Sequence, residues 1–315
     1  MKILVTGSSG FIGFHLTKRL IQDGHLVVGI DNHNDYYDVS LKELRNKELL
    51  CKNFKFYECD INNIKINEKN FDAVINLAAQ AGVRVSPKKQ FLYKHSNVNG
   101  FKSVVNFCLE NKITKLIYAS SSSVYSDENS EKFLEDYSIL EPKSIYGSSK
   151  LSNEIHASEL SNKENLSIVG LRFFSVYGPF GRPDMAYFHF TDALKNNRTI
   201  ELNNAGDMSR DMTYIDDVID GVSASLDYIF QKNTKCDNEI FNLGNDYPIK
   251  TLDLLKTLEK KLKIKAKIKI KYTKNEAFRT HADIAKAKNL LGYEPKVSFN
   301  EGIDLFLDWH KKYEK

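Results

Sequence analysis

Three observations predict an α/β fold with a doubly wound parallel sheet. Strands alternate with helices through the first half of the chain, a glycine-rich turn joins the first strand to the first helix, and a carboxylate closes the second strand. Residues 1–6 (MKILVT) are an apolar run of strand length, residues 7–13 read GSSGFIG, and residues 14–23 return to helical periodicity with Leu16, Leu20 and Ile21 on one side. Residues 26–30 form a second apolar run ending at Asp31, about the distance at which a dinucleotide fold places its ribose-binding carboxylate. Glycines let backbone approach a pyrophosphate closely, and a helix N-terminus offers unpaired N–H groups and a positive dipole end. A glycine-rich turn in some other α/β protein is the bland alternative, but here strand, helix and Asp31 all agree on a Rossmann-type dinucleotide site. Asp31 can accept from a ribose 2′-hydroxyl and would repel a 2′-phosphate, so NAD is expected rather than NADP.

Residues 32–50 read as a polar, aromatic loop running into an amphipathic helix, and residues 54–58 as a short strand closed by Cys59, Asp60 and Ile61. Asp60 is a candidate for the adenine amino group, or equally the cap of a turn. Residues 71–77 (FDAVINL) carry a buried-strand pattern, and residues 78–82 supply small side chains where backbone could pass near a cofactor. A helix is predicted over residues 97–112. The strand at 115–123 (KLIYASSSS) ends in four serines at its carboxyl end, where ligands sit in open α/β sheets.

Beyond residue 170 the rhythm changes. Residues 171–177 are predicted as a strand, 178–183 as a Gly/Pro-rich loop, 187–196 as a helix, 200–202 as a strand and 212–230 as a helix. Residues 239–243 are a strand that could rejoin the sheet, and 252–262 an amphipathic helix. Residues 263–274 (KIKAKIKIKYTK) alternate isoleucine or alanine with lysine, which predicts a strand with one wet, basic face. A membrane or nucleic-acid contact would use those lysines, but discouraging edge pairing is sufficient reason for them. The expected division is a dinucleotide-binding domain over residues 1–170, to which 210–245 return, and a smaller C-terminal α/β substrate domain from 171–209 and 246–315.

At 315 residues, 42% hydrophobic and 27% charged, the chain has an ordinary globular composition. A net charge of +4, with lysines interspersed among acidic residues, does not indicate nucleic acid. Cys51, Cys59, Cys108 and Cys236 show no CxxC spacing, so neither a zinc site nor a disulfide framework is expected, and no metal is. A strand beginning at residue 2 leaves no room for a signal peptide, and no apolar stretch approaches the roughly 20 residues of a membrane span, so a cytoplasmic protein is expected.

The most informative short stretch is Tyr146-Gly147-Ser148-Ser149-Lys150. On a helix Tyr146 and Lys150 share a face. Using a phenol as a base near neutral pH requires a shift of roughly 3 units, about 4 kcal/mol. A nearby ammonium and a positive nicotinamide ring favour the phenolate in that way. A serine from 120–123 could bridge the substrate hydroxyl and Tyr146. Alone, YxxxK is a common helix-surface pair; downstream of a dinucleotide turn it points to catalysis.

Together these segments resemble the extended short-chain dehydrogenases/reductases, and among them the UDP-glucuronate 4-epimerases, over nearly the whole chain. The likeness rests on TGSSGFIG (6–13), GIDNHNDYYDVSLK (29–42), NLAAQAGVR (76–84), YASSSSVY (118–125), YGSSK (146–150), LRFFSVYGPFGRPDMA (171–186), RDMTYIDD (210–217) and ADIAKAKNLLGYEP (282–295). NDYYDV and GRPDMA look specific to that subgroup. The resemblance implies an NAD-dependent epimerase that oxidises C4 of UDP-glucuronate, turns the 4-keto sugar over and reduces its other face to give UDP-galacturonate. It implies Ser121 as the catalytic Ser/Thr, Tyr146 as acid/base and Lys150 as its partner. Ser122, Ser123 and Ser175 would lie near C6 of the sugar, Arg210 on the diphosphate, and the 178–186 loop, with Arg182 and Met185, along the sugar pocket. Candidate cofactor contacts are Gly7, Gly10, Phe11, Ile12, Asp31, Asn32, Asp60, Ile61, Leu77, Ala78, Ala79 and Asn97, besides Tyr146 and Lys150. Relatives are usually homodimers, and capsule or lipopolysaccharide sugar supply is the family's common setting.

Dehydratases in this family put Asp-Glu after the catalytic threonine, and decarboxylases a glutamate. Ser122-Ser123 can donate hydrogen bonds but cannot act as acid or base near neutral pH, which disfavours dehydration. Short donors holding a carboxylate would oppose loss of CO2 from a β-keto acid, although a serine run at a strand end can also simply cap backbone. The chain departs from the family where Lys274-Asn275-Glu276-Ala277 replaces a segment with a Gly-Asp pair, which leaves the base and the sugar open; Lys274 or Arg279 are substitute phosphate-binding cations. A 4-dehydrogenase or decarboxylase acting on another nucleotide sugar, and an idle NAD-binding sensor, are the competing readings.

Overall fold

The computed structural model describes every residue except 84, 127–130, 138–139, 162–164, 232–237, 274–276 and 314–315. Its chain runs β1 (Lys2–Thr6), α1 (Phe11–Gln22), β2 (Leu26–Asp31), α2 (Val39–Glu48), β3 (Phe54–Glu58), β4 (Ala73–Asn76), α3 (Gly100–Glu110), β5 (Lys115–Ser121), α4 (Ile145–Ser161) and β6 (Ser167–Phe173). It continues with β7 (Ser175–Tyr177), α5 (Ala186–Lys195), β8 (Thr199–Asn203), β9 (Ser209–Tyr214), α6 (Ile215–Phe230), β10 (Asn238–Leu243), β11 (Pro248–Lys250), α7 (Thr251–Leu262), β12 (Lys267–Lys271), α8 (Ala285–Leu291) and α9 (Phe299–Tyr313).

Seven parallel strands form the main sheet in the order β10-β6-β5-β4-β1-β2-β3. The chain winds outward from β1 to β3, then restarts on the other side of β1 at β4, so the two halves diverge between β1 and β4 and open a crevice at their carboxyl ends. Register makes that edge even: Thr6 pairs with Ile30 on one side and Asn76 on the other, so Gly7, Asp31 and Leu77 leave the sheet at one level. The strands read as continuous apolar runs because helices cover both faces. On one face α1 and α6 pack over Ile3, Val5, Ile75 and Leu171; on the other α3 and α4 bring Phe101, Val104, Val105 and Ala157 onto Leu4, Val74, Leu116 and Ile168.

Several boundaries differ from expectation. The predicted helix over 212–230 begins only at Ile215, because Ser209–Tyr214 is a strand pairing with β7 on one side and β11 on the other. The predicted strand over 171–177 is two: β6 starts at Ser167 in the main sheet, and after Phe174 the chain leaves it for β7 in the three-stranded sheet β11-β9-β7. The strand at 115–123 stops at Ser121, whose hydroxyl accepts from Ser123 N at 3.1 Å and caps a 3₁₀ turn over Ser122–Val124. The helix expected over 97–112 starts earlier, as a π-helical stretch over Tyr93–Asn99. Among the described residues of the lysine run only Lys267–Lys271 is strand, paired in parallel with β8, and its apolar face is not buried: Ile268 and Ile270 are 46% and 52% exposed. Residues 239–243 do rejoin the main sheet, as β10 beside β6. Among the described residues no helix is long and apolar enough to cross a membrane.

Candidate active site

The glycine turn is a cradle that side chains would fill. Gly7 adopts φ +70°, its N–H donates to Ile30 O at 2.7 Å, and Gly10 N–H donates to Gly7 O at 2.9 Å. A Cβ on Gly7 would stand 2.8 Å from the Ala78 backbone, and one on Gly13 only 2.0 Å from Gly7 O. Helix α1 therefore begins against bare backbone, with Gly10 as its N-cap and no side-chain hydrogen bond capping it. That is the close approach and open N-terminus a pyrophosphate uses. Asp31 accepts from His33 N at 2.9 Å and Ser9 N at 3.3 Å, which fixes its carboxylate beside the turn. Shape and charge at this end fit a dinucleotide with a free 2′-hydroxyl.

One cleft runs from this cradle along the carboxyl ends of the strands. It is lined by the expected Gly7, Gly10, Phe11, Ile12, Asp31, Asn32, Ile61, Leu77, Ala78 and Ala79, and at its far end by Ser121, Tyr146, Lys150, Arg182 and Met185. Asp60 and Asn97 are not among these lining residues: Asn97 is buried, whereas the Asp60 carboxylate is partly exposed beside Asn32, which does line the cleft. The Asp60 carboxylate accepts from Asn62 N at 2.8 Å and Asn32 Nδ2 at 3.0 Å; burial works against its charge, but these donors hold its pKa below the usual range. Asn97, in the π-helical stretch, accepts from Gln80 N at 2.8 Å and donates to Ser149 Oγ at 2.8 Å, tying the 80–82 loop to the helix of Tyr146. Tyr36, Lys42, Gln80, Ser96 and Phe174 also line the cleft and carried no assigned role in the sequence. Of these, Tyr36 and Lys42 lie in the NDYYDVSLK stretch, where the signal was present without a chemistry attached.

Tyr146 and Lys150 share a face of α4 as their spacing predicts, with the ammonium 5.9 Å from the phenol ring centroid. Lys150 is buried and donates to Ala119 O at 2.9 Å; burial brings its pKa down to about 8, against a smaller opposing pull from Glu154. The expected lowering of the phenol pKa draws on the nicotinamide ring as well as the ammonium; in the protein alone the balance runs the other way. Burial raises the Tyr146 pKa, and the forces opposing that are first the Arg182 charge and then a hydrogen bond with Ser121. Beneath the pair, Glu154 accepts from the Ser120 hydroxyl and from Arg172, at 3.0 Å through Nε and 2.8 Å through Nη2. Arg172 also donates to Tyr125 Oη at 2.7 Å. This satisfied, bidentate ion pair fixes β5, β6 and α4 relative to one another.

The 178–185 loop forms the opposite wall and is stitched to the first half of the chain. His15 Nε2 meets Pro179 O at 2.9 Å, and Arg45, fully buried, donates to Phe180 O at 2.7 Å and Ser9 O at 3.0 Å. Ser122 and Ser123 sit in the 3₁₀ turn after Ser121, and Ser175 opens β7. Arg210 and Arg279 come together although distant in sequence: Ser209 N donates to Phe278 O at 3.0 Å and Thr280 N to Ser209 O at 3.2 Å. Arg279 Nη2 lies 3.0 Å from His281 Nδ1. Neither arginine lines the cleft described above. Lys274, Asn275 and Glu276 lie outside the described residues.

A sequence model of the NAD dependent epimerase/dehydratase family matches residues 3–244. The chain belongs to that family. Among solved structures, a point mutant of UDP-glucuronic acid 4-epimerase from Bacillus cereus, in complex with UDP-4-deoxy-4-fluoro-glucuronic acid and NAD, matches this epimerase/dehydratase with a TM-score of 0.93. Their identity is 35%, over 99% of this chain and 100% of that one. UDP-glucuronate 4-epimerase 4 of Arabidopsis thaliana is 40% identical over 331 residues, 99% of this chain and 75% of the plant protein. Protein CapI of Staphylococcus aureus is 38% identical over 333 residues, 100% of each chain.

Proposed function

We propose that this protein is an NAD-dependent UDP-glucuronate 4-epimerase, converting UDP-glucuronate to UDP-galacturonate through a 4-keto sugar. One observation carries the reaction class: the phenol of Tyr146, the Ser121 hydroxyl and the glycine cradle open onto a single cleft. The sugar follows from the likeness to proteins named for that substrate over nearly the full length of this chain. NAD, bound along the cradle, supplies a reversible acceptor for the hydrogen at sugar C4. Tyr146 takes the proton from the 4-hydroxyl and returns it, and Ser121 bridges that hydroxyl to the phenol. Lys150, held by Ala119 O, keeps positive charge at the base of the phenol. Ser122, Ser123 and Ser175 are donors for a sugar carboxylate; holding it would oppose loss of CO2 from the β-keto acid, and none of them can add a proton or remove one near neutral pH. Arg182 lines the cleft and is the cation assigned to the sugar carboxylate, while Arg210 and Arg279, brought together outside that lining, are candidates for the diphosphate.

The test is incubation with UDP-glucuronate and NMR of the products. UDP-galacturonate is expected at equilibrium with starting material. Unchanged substrate, with another nucleotide sugar converted instead, would overturn the assignment, and accumulated NADH or released CO2 would replace epimerisation by dehydrogenation or decarboxylation. We also propose a homodimer through the α3–α4 face, where Ile145 and Ile155 are 50% and 54% exposed. Light scattering should give twice the chain mass, and charged substitution of both isoleucines should halve it.

A further inference from the structure

Tyr36 belongs to the NDYYDV stretch, which follows the adenosine-side carboxylate Asp31 in sequence, yet it reaches the opposite wall of the cleft. Its hydroxyl donates to Asp184 Oδ2 at 3.1 Å. Asp184 accepts from Arg182 through Nε at 3.0 Å and Nη2 at 2.6 Å. The guanidinium also lies 6.0 Å from the Tyr36 ring centroid, so ring and carboxylate hold it from two sides. Space for this bridge depends on Gly82: a Cβ there would stand 2.0 Å from the Tyr36 hydroxyl oxygen, and its φ of +84° favours glycine in any case. Three loops, after β2, after β4 and after β7, thus meet at one phenol.

We propose that Tyr36 is a positioning residue for proton transfer: through Asp184 it fixes the Arg182 guanidinium on the wall facing Tyr146, so that Arg182 joins Lys150 in favouring the phenolate. The orientation matters because Asp184 offsets much of the guanidinium's field at a distance; only a fixed pair with its cationic end toward the phenol helps ionisation. Arg182 and Tyr146 line the same cleft, and the Arg182 charge acts on Tyr146 in that sense. The other groups facing Tyr146 are Lys150 on its own helix, Ser121 from β5, and Tyr93 from the π-helical stretch with ring centroids 6.0 Å apart. Burial, then the Asp184 charge, pushes the Tyr36 pKa up to about 12, so it remains a donor throughout the working range.

The inference rests on Tyr146 being the acid/base, and its test separates it from the substrate assignment. In the NAD-loaded protein without sugar, the Tyr146 resonance of ring-labelled tyrosine, assigned by its loss in Tyr146→Phe, reports the phenol titration. Tyr36→Phe should move that titration, and the acid limb of kcat with UDP-glucuronate, upward by about one pH unit, a tenfold loss of kcat at fixed pH on that limb. The sugar-free titration separates this effect from any change in KM that the substrate contact of Arg182 would bring. In an Arg182→Gln background the same substitution should add no shift. An unmoved titration, or a shift of equal size in the Arg182→Gln background, overturns the proposal. Should UDP-glucuronate not react at all, the substrate reading falls while the sugar-free titration still decides the role of Tyr36.

Discussion

Replacing Tyr146 with Phe is expected to cost roughly 10²- to 10⁴-fold in kcat, the range for removal of a positioned acid/base. Cofactor content and fold should stay intact. Phenylalanine keeps the ring in its place beside Tyr93 and over Lys150, and deletes only the oxygen that Ser121 meets. The glycine cradle and Asp31 are untouched, so NAD released on denaturation should equal that from the wild type. KM for UDP-glucuronate should change little, because the lost interaction belongs to the reacting proton rather than to the nucleotide. The pH dependence has a definite sign. Burial holds the phenol above its ordinary pKa in the protein alone, so the ionised fraction grows with pH and wild-type kcat should climb on the acid limb; in Tyr146→Phe the residual rate should lose that limb. Activity retained within a few-fold would remove Tyr146 from the proton-transfer role.

The parts of the site that sequence made legible are local ones. The glycine turn, Asp31 and the Tyr146–Lys150 spacing each need only a few consecutive residues in a strand-turn-helix setting, and backbone geometry does the rest. The pieces it hid depend on which loops meet in space. Nothing local joins Tyr36 to Asp184, or Arg45 to the carbonyl of Phe180, and the two arginines 210 and 279 meet only because Ser209 and Arg279 bridge their strands. Asn97 illustrates the converse: residue type and position suggested a cofactor contact, whereas hydrogen bonds with Gln80 and Ser149 hold it buried in a π-helical stretch. Strand β9 was missed because Met212-Thr213-Tyr214 runs straight into the helical Ile215-Asp216-Asp217, and only pairing partners on both sides make it extended. The lysine run shows the limit of periodicity: alternation correctly marks a strand, but burial of its apolar face requires a partner layer, and β12 lies at an edge of a two-stranded sheet.

Lys150→Met should abolish turnover and yet stabilise the cofactor-free protein near neutral pH, with the sign of the stability change reversing in alkali. The reasoning starts from the buried ammonium. In the fold its pKa is about 8, against an ordinary value of 10.5, so the folded state disfavours the charged form. Below pH 8 both folded and unfolded chains carry the proton, and the penalty is full, about 3 kcal/mol for that shift. Between pH 8 and 10.5 the unfolded chain binds more protons than the folded one, so wild-type stability from this group rises with pH and the penalty is gone above that window. Methionine is of similar length, unbranched and uncharged, and removes the penalty at every pH. It also strips Ala119 O of its 2.9 Å donor, a pH-independent cost of about 1–3 kcal/mol. Near pH 7 the balance favours the variant by up to about 2 kcal/mol, while near pH 10.5 only the orphaned carbonyl remains and wild type is the more stable. Urea unfolding of both proteins, freed of cofactor, at the two pH values measures this, because titrating groups that Lys150 does not touch cancel in the difference. A stability difference that does not change with pH would mean Lys150 carries its charge in the fold without cost, and the lysine could then be no more than a fixed cation beside Tyr146.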